Sequence, residues 1–212
     1  MASTEIVSSV AQAGGGEGRA RWRRVGAMFG ASVVGWLVLA VLTAQGVIAA
    51  QFAISGLPFT VTATRLTGTG FEQFGALDNT APGSPNQTDT GGQVLVVTSA
   101  IQSAELANLC QSVNLGGTNL KITAGGGSTP VRATTLVVDS DLLTGDVSFS
   151  NTTIGQDAST VDRVPGVVGS VGNFAQQAQS VTINNLRQNN FATTAATFTL
   201  PGLRLSFDPN AC

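Results

Sequence analysis

Histidine and tyrosine are absent from this sequence, and lysine occurs only once, at Lys121. Each absence removes chemistry. Without histidine there is no Ser-His-Asp or Cys-His triad. The Gly-x-Ser-x-Gly elbow of serine hydrolases is missing too. Its nearest approach, Val168-Gly169-Ser170-Val171-Gly172, has valine where the first glycine belongs and reads as a loop within VPGVVGSVGN (164–173). A Ser-Lys dyad would need Lys121, which lies in a strand-like NLKIT (119–123) without Ser-x-x-Lys spacing. Gly125-Gly126-Gly127 is followed by Ser128-Thr129-Pro130, not by the Gly-Lys-Ser/Thr of a phosphate loop, and reads as a turn between strands.

Basic charge is scarce and unevenly placed. Four of the ten basic residues are Arg19, Arg21, Arg23 and Arg24. Residues 25–50 carry no charge, and residues 51–212 hold six basic and ten acidic side chains, a net charge of −4. A mildly acidic domain lacks the clustered Lys and Arg that neutralise phosphates, so no nucleic-acid partner is expected. Both tryptophans, Trp22 and Trp36, fall in or beside the uncharged stretch.

That stretch, VGAMFGASVVGWLVLAVLTAQGVIAA, is long enough as a helix to cross a bilayer core of roughly 30 Å. The arginines before it predict a cytoplasmic start and an exported C-terminal side. The expected organisation is a basic cytoplasmic segment (1–24), a transmembrane or signal helix (25–50) and an extracytoplasmic β-rich domain (51–212). The length of the stretch favours an uncleaved anchor; its V-I-A-A ending favours cleavage, and the reading leans slightly to export with cleavage.

The outer domain reads as all-β. FTVTATRL (59–66) alternates threonines with apolar residues, the period of a half-buried strand. Further runs follow at QVLVVTSAI (93–101), NLKIT, TTLVVD (134–139), DVSFSN (146–151), SVTINNLR (180–187) and ATFTL…LRLSF (196–207). A short helix is expected near Asn173–Gln179, and an exposed loop over Asp78–Gly92. An offset of 77 residues relates Leu66-Thr67-Gly68 to Leu143-Thr144-Gly145, QSAELANLCQ (102–111) to QSVTINNLRQ (179–188), and Gly125 to Gly202. This suggests an internal duplication of two β units, 57–133 and 134–210, forming a curled sheet or sandwich.

Cys110 and Cys212 both lie on the exported side, where an even pair predicts a disulfide; no Cys-x-x-Cys spacing suggests a reactive pair. Asp139 and Asp141 would share one face of a strand, with Asp146, Asp157 and Asp162 following. DSDLLTGD (139–146) opens like a calcium loop, but Thr144 stands at its glycine position and Ser150 at its closing glutamate position. Solvated turn carboxylates are the better reading. No catalytic, cofactor or metal residues are assigned. Phe59, Phe71, Phe74, Phe149, Phe191, Phe198 and Phe207 are expected to form the core, with a lipid-lined cavity as the alternative.

The order RWRR, apolar segment, QFAISGLPFTVTATRLTGTGFEQFG, LANLCQSV, TTLVVDSDLLTGDVSFSNTTIGQDAS and FTLPGLRLSF with Cys212 resembles a family of actinobacterial exported proteins. Some members carry the label cholesterol esterase. The resemblance implies a place in the envelope of a Gram-positive bacterium and supplies no catalytic residues. The leading expectation is a non-enzymatic cell-envelope protein, structural or interaction-mediating, held at the membrane by its N-terminal helix and partnered by lipid, another hydrophobic ligand or an envelope protein. The alternatives are a lipid or steryl ester hydrolase with a His-free site, and an accessory subunit of a membrane complex.

Overall fold

The computed structural model describes residues 53–84, 86–87 and 91–212. The expected basic segment and the expected transmembrane or signal helix lie outside the described residues. Among the described residues no helix is long and apolar enough to cross a membrane.

The Thr-, Val- and Phe-rich runs form strands, as their propensities favour. Four are long: β1 (Phe59–Asn79), β2 (Gln93–Ala107), β5 (Val131–Ser150) and β7 (Phe174–Thr194). Each pairs antiparallel with two others, and the pairings close on themselves. β1 pairs with β2 (Phe71↔Ile101), β2 with β5 (Ile101↔Leu136), β5 with β7 (Val147↔Ile183) and β7 with β1 (Leu66↔Ile183). Short strands extend this ring. β3 (Leu109–Asn114) and β4 (Asn119–Ala124) form a hairpin that adds to β1 and carries β9 (Arg204–Asp208) on its far side. β6 (Thr153–Asp157) pairs with β7, and β8 (Thr197–Thr199) with β5. A 3₁₀ turn at Ala158–Thr160 opens the loop before β7.

Closure requires strongly coiled strands, and the burial pattern shows how they coil. A regular strand buries every second residue. Here the inward phase switches. In β1 the buried positions Leu66 and Gly68 give way to Phe71; in β2 Leu106 and Ala104 give way to Ile101; in β5 Val131 and Ala133 give way to Leu136. The switch falls at one level of the ring, at Gly70, Gln102 and Thr135. Gly70 and Thr135 have left-handed backbone there, with φ of 64° and 46°. A side chain at Gly70 would meet the Arg163 carbonyl at 2.6 Å, so both φ and space require glycine. A second switch occurs at Asn108 and Asn185, again left-handed, with φ of 52° and 54°. Asn tolerates this conformation better than most residues.

The main core fills the ring with residues from every long strand, including Val61, Leu66, Ile101, Val131, Leu136 and Leu186. Leu186 is 2% exposed; burying such a side chain contributes roughly 1.5–3 kcal/mol. Two smaller clusters lie outside it. One joins Ile54 to Val94, Val96 and Ala192, and the other packs Phe74 against Ala158, Val161 and Ala175. Among the described residues, the strands, the three clusters and the disulfide all lie within residues 54–212, so this segment has a core of its own.

Three expectations need correction. Phe174–Gln179 is the start of β7, not a helix. Its Ala and Gln residues are good helix formers, but β1 on one side and β6 on the other offer ladder partners, and pairing overrides local preference. TTLVVD and DVSFSN are parts of one strand, β5, joined through irregular pairing between Asp139 and Asp146. The expected loop after β1 starts two residues late, because Asp78 and Asn79 still pair with Val94 and Gln93.

Candidate binding cleft beside the β1–β2 hairpin

Cys110 and Cys212 form a disulfide, with Cα atoms 5.8 Å apart and a sequence separation of 102. The Arg187 guanidinium donates to the Cys212 carbonyl at 2.8 Å, and the Cys212 amide donates to Ser112 Oγ at 3.0 Å. The bridge staples β3 in place.

The other acidic and basic candidates disperse. Asp139 and Asp141 do not act together: Asp139 Oδ1 accepts from Thr98 Oγ1 at 2.6 Å, while Asp141 Oδ1 accepts from Asn189 at 2.8 Å. Asp146 accepts from Asn185, Asp162 lies 3.8 Å from Arg163, and Lys121 lies 3.6 Å from Asp208. Among the described residues no group of three or more His, Cys, Asp or Glu is placed to hold a metal. Gly125 turns the chain from β4 toward β5 with φ of 67°, and its amide donates to the Pro201 carbonyl.

The phenylalanines do not line one cavity. Phe71 joins the main core and packs at 5.2 Å against the half-exposed Phe149; Phe74 serves the separate cluster; Phe198 lines the enclosed space beside Phe71 and, with Phe59 and Phe191, a separate opening; Phe207 is exposed. The space enclosed inside the ring, between Phe71, Ile101, Leu136 and Asn190, is about 40 Å³. That holds a few waters and no alkyl chain.

A larger opening lies where the β1–β2 hairpin leaves the ring. It is a cleft of about 830 Å³, within the range of small-molecule sites. Leu77 and Leu95, paired across the hairpin, are 59% and 73% exposed; Phe174, at the start of β7, is 62% exposed. Val97 and Val168 continue the apolar lining. Apolar residues left in water in one concave patch mark an interaction site more often than scattered ones do.

Its floor is polar. Gln176 Nε2 donates to Gln73 Oε1 at 2.6 Å, and Gln73 Nε2 donates to Ser99 Oγ at 2.8 Å. Gln73 and Gln176 line the cleft while Ser99 lines the enclosed cavity, so this relay separates the two.

The loop from Ala158 to Asn173 forms one wall through Val168, Gly169, Ser170 and Asn173. It is strapped down along its length. Glu72 Oε2 accepts from the backbone amides of Arg163 and Val164, both at 3.1 Å. Asp157 accepts from Ser159 and Gly172 amides, and Asn173 Nδ2 donates to the Gly75 carbonyl. Gly169 sits so close to Ala158 and the Phe74 ring that an added Cβ would meet them at 2.5 and 2.8 Å.

Two carboxylates near the cleft are held in unfavourable surroundings. Glu72 is completely buried and its Oε1 has no partner. Burial pushes its pKa up to about 7, against the two amide hydrogen bonds; Asp162 pushes the same way as burial. Asp78 lines the cleft, and burial, then the charge of Asp139, push it up to about 6. Burial raises Asp139 also, opposed by Thr98. Asp157 is held low by its hydrogen bonds to Ser159 and then Gly172.

Of the cleft residues the sequence pointed to Phe74 alone as apolar lining, as one of seven phenylalanines. One further signal was present: Val94, Leu95, Val96 and Val97 are apolar on both strand faces, one face packing with Ile54 and the other left open.

The fold defines a closed antiparallel β-ring domain with an apolar side cleft. Residues 55–212 match the family described as a family of unknown function (DUF6230), and the chain belongs to it. No curated protein and no solved structure matches the chain.

Proposed function

We propose that this chain is a non-enzymatic protein of the cell envelope whose outer domain holds an apolar molecule in the cleft beside the β1–β2 hairpin. The arginines at 19–24 and the uncharged stretch at 25–50 support a membrane-linked route that delivers residues 51–212 outside the cytoplasm. The Cys110–Cys212 bridge fits an oxidising exterior. The similarity in sequence to actinobacterial exported proteins fits the same placement. The offset of 77 residues supports descent of the domain from a duplicated unit: Asn108 and Asn185 share the left-handed conformation, as do Gly125 and Gly202, with φ of 67° and 66°.

The observation that carries the binding role is the exposure of Leu77, Leu95 and Phe174 around one concave space. Exposing this much apolar side chain has an energetic cost that a bound apolar group would remove. Purified residues 51–212 titrated with the uncharged dye Nile red should show saturable fluorescence enhancement. Leu95→Asp and Phe174→Asp should each weaken it by at least about tenfold, since a charge in the apolar wall must be desolvated on binding. Absence of saturable binding in the parent domain, or equal binding by both variants, removes the proposal.

A further inference from the structure

We infer that the cleft selects an uncharged amphiphile, an apolar chain ending in a hydroxyl group, and rejects the same chain ending in a carboxylate or phosphate. This rests on the binding role proposed above and adds the identity of the head group.

Three features of the cleft set the choice. Among the described lining residues there is no lysine or arginine, so nothing offers charge to an anion. The one charged lining residue is Asp78, backed by Asp139, and a carboxylate brought beside it would meet like charge in partly dehydrated surroundings. The remaining polar lining is neutral: the amides of Gln73, Gln176 and Asn173 and the hydroxyl of Ser170.

The floor relay then supplies a specific acceptor. Gln73 uses its Oε1 and Nε2 on Gln176 and Ser99. Gln176 spends only its Nε2 in that relay, and its Oε1 accepts no hydrogen bond within the described residues. A carbonyl oxygen held at the floor of an apolar cleft matches a donor that carries no charge, since a neutral O–H is cheaper to dehydrate than an ammonium. The chain lies along Leu77, Leu95 and Phe174, and its hydroxyl reaches Gln176.

The test uses three ligands with the same twelve-carbon chain, 1-dodecanol, dodecanoate and dodecylammonium, each displacing Nile red from purified residues 51–212 at pH 7.5. The alcohol should displace at a concentration at least about tenfold below that of either charged ligand. Asp78→Asn should narrow the gap between alcohol and carboxylate, and Gln176→Leu should weaken the alcohol by about three- to tenfold relative to that variant's own Nile red affinity. Equal displacement by alcohol and carboxylate, or tighter binding of the ammonium, overturns the head-group assignment while the apolar binding role stands. Failure of all three ligands together with failure of Nile red removes both.

Discussion

The two ends of the long strands solve opposite problems. Around Leu66, Leu106, Val131 and Leu186 the strands pack apolar side chains to the exclusion of water. Around Gln73, Asp78, Leu95 and Gln176 the same strands hold amides and acids half-buried, with Glu72 fully buried, while leaving leucines exposed. The changeover coincides with the level of Gly70 and Thr135, where the strands exchange their inward and outward faces. The packed end supplies stability, and the surplus allows the cleft end to keep arrangements that oppose it. Glu72, buried with one unpartnered oxygen, is the clearest of these.

That contrast can be broken at either end. Removing the staple should have the largest effect. Replacing both Cys110 and Cys212 by serine frees a loop of about a hundred residues and should lower unfolding free energy by about 4 kcal/mol in urea titrations. Leu186→Ala, at the packed end, should cost about 3 kcal/mol by the same measurement. Were it to cost under 1 kcal/mol, the apolar ring would not be the source of stability.

At the cleft end the effect should depend on pH. The folded chain keeps the Glu72 proton up to about pH 7, whereas the unfolded chain releases it near 4.5. Folding therefore takes up a proton in that window, and the contribution is full below pH 4.5 and lost as pH rises through 7. Asp78 acts with the same sign between 3.8 and about 6. Thermal unfolding should show stability falling between about pH 4 and 7, by an amount on the order of 2 kcal/mol for Glu72. Glu72→Gln should flatten most of that slope; an unchanged slope would assign it to other groups. Smallest of all, Leu95→Asp should move stability by less than about 0.5 kcal/mol, because the side chain is already in water. Its consequence should appear in ligand binding alone.

The sequence made strands legible where Thr and Val alternate, as in FTVTATRL, and it made the Cys110–Cys212 pair legible because only two cysteines exist. Strand length was not legible. Each change of inward phase interrupts alternation, so β5 read as two strands on either side of its irregular region, and β1 seemed to stop at Leu66 before its glycine-rich turn of phase. The start of β7 misled through Ala and Gln propensity. The cleft stayed hidden because it is made by residues far apart in sequence, Leu77, Leu95 and Phe174, which are ordinary strand residues until ring closure brings them to one mouth. The acids behaved likewise: Asp139 looked paired with Asp141, but the ladder set it against Thr98 and the neighbouring Asp78.

Ring closure also imposes an order in time. β1 is synthesised first among the long strands, yet one of its edges is covered only by β7, with Phe59 opposite Asn190, 131 positions later. Non-local pairing of this kind is slow, and an unpaired strand of twenty residues is a template for association with other chains. The nascent domain therefore depends on being kept apart from its neighbours until Phe174–Thr194 has emerged, and crowding during synthesis is its most vulnerable moment.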